Sequence, residues 1–228
     1  MSAFTFPDDI FTEPEPDDDT LANLGPLRPL AGSFAGAKGH DRHPDAAGVE
    51  EDAYTETWEL LPIDAQTNGP QLFYGLRYHQ QVVRVSNGET FHDQVGYLLW
   101  EPERSRVLMT LAIPRGQVAM AVGDVAPDAR SFTLRASEDD RHAGIVSNDF
   151  LDHAFRTPAW EITFTVRSDD EWAYDQTTSL HVRGREGVFA HTDRGLVART
   201  APPGPEPLSP LTVRRHPARC TIRSRRMS

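Results

Sequence analysis

Alternation of apolar and polar residues is the sequence feature that most constrains the fold. In residues 160–166, which read WEITFTV, every second side chain is apolar. Successive side chains of a β-strand point to opposite faces, so this run predicts a strand with one buried face. Residues 172–182 repeat the pattern after the polar segment 167–171. The two runs predict neighbouring antiparallel strands.

Similar runs predict strands along most of the chain, whereas helical periodicity is weak. The further predicted strands are 30–39, 53–61, 71–85, 91–100, 106–113, 117–123, 131–136 and 145–155, with a loop from Pro62 to Pro70. About ten strands without strand–helix alternation favour an antiparallel sandwich or barrel. In residues 107–113, apolar side chains occupy both odd- and even-numbered positions, which favours a barrel. We therefore predict an all-β, roughly ten-stranded, up-and-down antiparallel barrel with a cavity for a small molecule.

Composition separates both ends of the 228-residue chain from its middle. Residues 1–25 are acidic and contain proline, whereas residues 201–228 are rich in proline and then arginine. Segments of this kind bury too little apolar surface to fold alone, so we expect both to be flexible. Residues 26–200 are expected to form the single barrel domain.

Charge and cysteine content exclude several classes of protein. A formal net charge of -11 argues against non-specific binding to nucleic acid, because phosphates would be repelled. The single cysteine, Cys220, cannot form an internal disulfide, and neither a signal peptide nor a membrane span is apparent. We expect a cytoplasmic protein without a membrane partner, and leave monomer and homodimer both open.

Two histidines stand out, each within a short alternating run that is typical of a β-strand. His92 lies in residues 88–97 and His191 in residues 187–193. Neutral imidazole is the usual proximal ligand of haem iron, and the two rings are candidates to face each other across a barrel interior. For each, a histidine with only a structural role is the alternative. Six further histidines are expected to be surface residues: His40, His43, His142, His153, His181 and His216.

The order of several short motifs resembles that of the nitrobindin family, haem-binding β-barrels akin to fatty-acid-binding proteins. Gly32-x-Phe34-x-Gly36 is similar to the family's amino-terminal Gly-x-Trp-x-Gly-x-Gly signature. Residues 91–98, FHDQVGYL, are similar to a family segment with histidine before Gly-Tyr, and residues 114–118 match a Gly-centred turn. His191 falls in the last predicted strand, where the family places its iron-binding histidine. The resemblance spans roughly residues 27–200.

This chain departs from the family pattern at several positions. Phe34 replaces the usual tryptophan, and Lys38 replaces the last motif glycine. His191-Thr192-Asp193-Arg194 stands where the family has His-Leu-x-Ala. The fold therefore carries over from the resemblance more safely than the haem does.

The resemblance implies one haem b per chain, with His191 as proximal iron ligand and His92 as a distal residue that donates a hydrogen bond to a bound anion. The other expected contacts are Phe34 on the barrel floor, Phe91 and Phe189 as apolar walls, Tyr97 as a lining or capping residue, and Arg115 as either a propionate partner or a surface residue. The implied chemistry is reversible nitric oxide binding and isomerisation of peroxynitrite to nitrate. Whether the chain is an enzyme stays open at this point.

Two alternatives belong to other classes of protein. A haem-free barrel would carry a fatty-acid-like or other apolar molecule, and would not need His191. A structural or interaction domain would instead act through its charged tails.

Overall fold

A computed structural model describes residues 5–204, which form eleven β-strands and a few short helices. The helices are α1 (Thr20–Asn23), α2 (Asp149–Ala154) and two 3-10 helices, Gly25–Leu30 and Pro102–Arg104. The strands are β1 (Gly32–Asp45), β2 (Gly48–Asn68), β3 (Gln71–Arg84), β4 (Thr90–Glu101), β5 (Arg106–Ile113), β6 (Gln117–Asp124), β7 (Ser131–Ser137), β8 (Ile145–Ser147), β9 (Phe155–Val166), β10 (Glu171–Val182) and β11 (Phe189–Ala201). No helix within residues 5–204 is long and apolar enough to cross a membrane.

Ten of the strands close into an antiparallel ring. Their order around the ring is β5-β4-β3-β2-β1-β11-β10-β9-β7-β6. The ring closes because β6 also pairs with β5. The three-residue strand β8 lies outside this ring and pairs with β6. The predicted all-β, ten-stranded antiparallel barrel is therefore confirmed.

Two local predictions are wrong. The strand predicted for residues 145–155 is interrupted by α2, because the Asn148 side chain accepts a hydrogen bond from the Leu151 amide and caps a helix there. The loop predicted from Pro62 to Pro70 is largely strand, since β2 continues to Asn68 and pairs with Gln71. The turn between β2 and β3 is confined to Gly69, with φ +54°, and Pro70.

The barrel interior is solid at one end. Leu24, Leu27 and Leu30 precede β1, and all three are fully buried in the core. Trp58 and Trp172 pack edge to face beside them, with their ring centroids 5.2 Å apart. This end is the one where β1 begins and β2 ends, so the opposite end is left to form a cavity.

The acidic amino-terminal segment makes hydrogen bonds to the barrel at Glu13 and Asp17. The Asp17 amide donates to Tyr74 Oη at 3.0 Å, and Thr67 Oγ1 donates to Glu13 at 2.9 Å. The flexibility expected of residues 1–25 stays a prediction. Residues 205–228, which hold most of the tail together with Cys220 and His216, lie outside the described range.

Substitution of Gly96 is expected to destabilise the barrel. A Cβ at this position of β4 would lie 1.9 Å from the backbone oxygen of Thr110, which cannot move without disturbing the β4–β5 ladder. We expect Gly96→Ala to lower the free energy of unfolding by about 1–3 kcal/mol in urea titrations. Gly204→Ala is the control, because its Cβ would be 3.8 Å from the nearest atom, in Leu61. Equal stability of the two variants would contradict the packing described for Gly96.

Candidate functional site

A cavity of about 580 Å³ occupies the end of the barrel where β1 ends. This volume lies within the range of small-molecule sites in proteins. Aromatic and aliphatic side chains from β4, β5, β9 and α2 form much of its wall, and the polar lining includes histidines, carboxylates, amides and two arginines. The barrel therefore presents an apolar pocket with a few convergent polar groups.

Four of the seven site residues predicted from sequence line this one cavity: Phe91, His92, Arg115 and His191. The other three lie elsewhere. Phe34 is in the solid end of the barrel, where its ring packs on Trp172. Tyr97 is 43% exposed on the outer wall, because the even-numbered residues of β4 are the ones that point inward. Phe189 lies under the guanidinium of Arg42, 5.0 Å from its carbon, and not against the cavity.

A bulge in β4 brings two consecutive residues to the cavity. Val82 of β3 pairs with His92, whereas the next residue, Val83, pairs with Thr90. Phe91 is therefore the extra residue in its strand, and it lines the cavity together with His92. A β-bulge commonly re-aims a side chain in this way. His92 points inward because it keeps the regular register of Gln94, and the bulge adds Phe91 beside it.

A directed chain of hydrogen bonds fixes the tautomer of His92. Tyr78 Oη donates to the Thr110 carbonyl at 2.9 Å, and the Gln94 amide donates to Tyr78 Oη at 2.8 Å. The carbonyl oxygen of Gln94 therefore accepts from His92 Nε2, at 3.2 Å. Burial, helped by the charge of Arg115, lowers the pKa of His92 and keeps the ring neutral. The neutral ring then carries its proton on Nε2, and Nδ1 is an acceptor, whereas a distal donor was expected.

A cluster of carboxylates and imidazoles lies across the β1–β11 pairing. Asp41 faces Asp193 in this register. The Asp41 carboxylate, which is 3% exposed, contacts His191 Nε2 at 2.6 Å and His43 Nδ1 at 2.5 Å. Asp193 lies 3.5 Å from His191 Nε2 and accepts a hydrogen bond from Gln176 at 2.9 Å. A single buried carboxylate thus joins two imidazoles at the cavity wall.

The prediction that His43 is a surface residue is wrong. The predicted first strand stopped at residue 39, whereas β1 continues to Asp45 and pairs with β2 over this whole extension. The extension carries Asp41 and His43 into the cavity wall. Neither residue could be assigned to the site while the strand was taken to end before them.

The surroundings shift the pKa values of Asp41, His191 and Asp193 in different directions. Burial would lower the pKa of His191, but the hydrogen bond to Asp41 and the charges of Asp193 and Asp41 raise it. Burial, followed by the hydrogen bond with Asp41, raises the pKa of Asp193 to about 7. Burial would also raise the pKa of Asp41, yet hydrogen bonds with His191 and Asp193 outweigh burial and hold that pKa far below its usual range. Asp41 is therefore the ionised member, and it stabilises a charged His191.

A second buried acid, Glu56, lies beneath the cavity. Its Oε2 accepts hydrogen bonds from Trp58 Nε1 at 2.7 Å, Tyr174 Oη at 2.9 Å and Gln80 Nε2 at 3.1 Å. Its Oε1 has no hydrogen-bond partner within residues 5–204. Gly195 leaves room for this oxygen, since a Cβ there would lie 2.1 Å from it. Sequence analysis missed Glu56, although an acidic residue on the apolar parity of its strand was the available signal.

The fold and the cavity together define a small-molecule-binding β-barrel. The chain belongs to the family described as the THAP4-like, heme-binding beta-barrel domain, whose model matches residues 23–198. This match confirms the family resemblance drawn from the sequence motifs.

A solved structure shares this fold. The crystal structure of Rv2717c from M. tuberculosis superposes with a TM-score of 0.54 at 24% sequence identity. The alignment covers 79% of this chain and 97% of that chain. A comparison with curated proteins found no match.

The buried position of Glu56 predicts a pH-dependent stability. Burial raises its pKa in the folded state, opposed by the hydrogen bonds from Trp58, Tyr174 and Gln80. The stability that the neutral carboxyl contributes is present below the pKa of an unfolded glutamate, and is lost as the pH rises through the raised folded value. Glu56→Gln is neutral at every pH. The free energy of unfolding of the variant, minus that of the wild type, should therefore increase from about pH 5 to about pH 8.

Urea titrations at the two pH values measure this difference. Glu59→Gln is the matched control, because Glu59 lies on the same strand with its side chain exposed. A difference for Glu56→Gln that stays constant with pH, or that decreases, would show that the folded state does not favour the neutral acid.

Proposed function

We propose that this chain binds haem b, one molecule per barrel, in the cavity, with His191 as the iron ligand and with reactivity toward nitrogen oxides. One observation carries the proposal. His191 on β11 and His92 on β4, both singled out from the sequence, line a single cavity in a chain of a haem-binding barrel family. Imidazoles in a largely apolar pocket are the donor set that a haem protein needs.

The surroundings of His191 fit the role of a metal ligand. A carboxylate on one ring nitrogen of a histidine orients the ring and increases the basicity of the other nitrogen. Asp41 supplies this carboxylate at Nε2, and Nδ1 has no hydrogen-bond partner in the described part of the chain. Iron binding would therefore require the charged ring to release its Nδ1 proton, while Asp41 keeps its hydrogen bond at Nε2.

Arg115 fits the role of a propionate partner at the cavity mouth. Its Nη2 donates to the Phe91 carbonyl at 2.6 Å, which holds the guanidinium at the cavity. It makes no ion pair with a carboxylate of residues 5–204, whereas Arg84, also at the cavity, pairs with Asp52 at 2.8 Å. The charge of Arg115 is thus available to an anionic group of a bound molecule.

The proposed chemistry divides between the cofactor and the chain. Haem would supply the iron, a Lewis acid and redox centre, for binding nitric oxide and for converting peroxynitrite to nitrate. The chain's apolar wall, with Phe91 and Trp160, would limit the access of water to a bound haem. The His92 Nδ1 lone pair would accept the hydrogen of a protonated nitrogen oxide. An isomerisation needs no second substrate, which suits a barrel with one closed end.

The iron ligand is tested by titrating the purified haem-free protein with hemin. The wild type should give a sharp Soret band that saturates at one hemin per chain, because one imidazole is fixed in the cavity. His191→Ala should weaken hemin binding by roughly 10- to 100-fold or more, since it removes the ligand itself and the loss of a mere partner of a metal ligand commonly costs that much. His92→Ala should retain the band and alter its nitric oxide and peroxynitrite reactions.

His79→Ala is the matched control, because His79 lies on the outer wall in an exposed pair with Asp93, 3.2 Å away. A broad band that is the same in wild type and His191→Ala would count against the proposed ligand. Loss of the band in His79→Ala would show that hemin binds outside the barrel.

A second candidate function is the carriage of an apolar carboxylate without haem. Phe150 of α2 lines the cavity but is 63% exposed, so its ring is an open apolar surface at the mouth. Leu151 and Phe155 continue this surface, and Arg115 would pair with the carboxylate. A fatty acid retained in native mass spectra, in protein without a Soret band, would favour the carrier.

A further inference from the structure

Three side chains at the cavity wall are arranged as metal ligands in their own right. One ligand atom each from Asp41, His191 and Asp193 lies within 4.8 Å of the other two. The residues come from adjacent paired strands, β1 and β11, so the backbone holds them in place. Asp41 is buried, and Asp193 has a side chain only 14% exposed.

The charges of the three groups favour a cation. Asp41 and Asp193 are directly opposite each other on neighbouring strands, a position where two like charges are destabilising. The His191 Nε2 atom lies 2.6 Å from Asp41 and 3.5 Å from Asp193, so both carboxylates converge on the imidazole. A divalent ion would balance both carboxylates at once and leave a neutral imidazole as the third donor.

We propose that Asp41, His191 and Asp193 bind one divalent transition-metal ion of the Zn²⁺ class in the haem-free protein. One nitrogen and two carboxylate oxygens suit a borderline ion such as Zn²⁺, whereas Mg²⁺ and Ca²⁺ prefer oxygen ligands throughout. Three protein ligands leave a further coordination position, as in catalytic zinc sites.

The residues around the cluster support the three ligands. His43 contacts the second oxygen of Asp41 at 2.5 Å, and Gln176 donates to Asp193 at 2.9 Å. Such outer hydrogen bonds orient metal-binding carboxylates. A second trio, which joins Asp41 and His43 to Asp52, is less suited because Asp52 is already paired with Arg84 at 2.8 Å.

The proposed ion and haem share His191, so they exclude each other on one chain. The ion requires no haem and goes beyond the proposed function, and the two proposals can fail separately. Binding displaces the protons that now join His191 to the carboxylates, because a metal ligand must be deprotonated. Proton release is therefore part of the expected signature.

The test uses the untagged, full-length, haem-free protein after treatment with a chelator. Calorimetric titration with Zn²⁺ should give one ion per chain, with an apparent enthalpy that depends on the ionisation enthalpy of the buffer. Co²⁺ should give visible absorption bands of a nitrogen- and oxygen-coordinated site. Asp193→Asn, Asp41→Asn and His191→Ala should each weaken Zn²⁺ binding by roughly tenfold or more.

The matched control is the exposed pair His79 and Asp93 on the outer wall, which offers the same two donor types. His79→Ala and Asp93→Asn should bind Zn²⁺ as the wild type does. Asp193→Asn is the mildest of the cluster variants, because an asparagine oxygen can still accept from Gln176. Near-ultraviolet circular dichroism of each variant distinguishes loss of the site from loss of the fold.

The metal proposal is overturned if folded Asp193→Asn and His191→Ala bind Zn²⁺ as tightly as the wild type, or if the wild type does not bind it. Pre-bound Zn²⁺ should also slow the uptake of hemin in the wild type, and unchanged uptake with Zn²⁺ still bound would contradict a shared His191. Zn²⁺ binding without hemin binding would contradict only the haem proposal. Hemin binding without Zn²⁺ binding would contradict only the metal proposal.

Discussion

Pairing between the first and last strands, β1 and β11, is the interaction on which the rest of the structure depends. It closes the ring, and without it both strands would present unpaired backbone groups at a sheet edge. Close backbone approach at β1 requires small residues. A Cβ at Gly39 would lie 1.9 Å from the ring of Tyr54, and one at Gly36 would lie 2.7 Å from the Leu196 carbonyl. Gly36 and Gly39 are therefore needed for β1 to pack this closely against its neighbours in the ring.

The same pairing brings polar groups of two distant segments into one wall, at an energetic cost. Asp41 and Asp193 become direct neighbours, and taking carboxylates out of water costs several kcal/mol per ion unless they are paired. His191 and His43 supply the partners. The aromatic core at the solid end of the barrel offsets part of this cost, because rings such as Trp58 and Trp172 are fully buried and each removes a large apolar area from water.

Local alternation explains why so much of the fold could be predicted from the sequence. The pattern in residues 160–166 depends only on which side chains are buried, and β9 has that burial over the same residues. His92 and His191 were recognisable because each stands in a short alternating run at a position that the family resemblance marks. What the sequence did not reveal depends on partners that are distant in the chain. The bulge at Phe91 is defined by pairing with β3, and the extension of β1 to His43 is defined by pairing with β2.

Electrostatics gives the two cavity histidines opposite characters, although both are imidazoles in β-strands. Carboxylates on the β1–β11 wall favour a charged His191, whereas burial on β4 favours a neutral His92. The ring order places β5 and β6, with apolar Leu111, Ile113 and Ala119, opposite the charged wall. A molecule in the cavity would therefore meet carboxylates and a charged imidazole on one side and an apolar surface on the other. Environments that shift the pKa values of two like groups in opposite directions commonly mark sites where the groups have different roles. The charged wall is therefore the part of the cavity that would favour the cation or cofactor that we propose for His191.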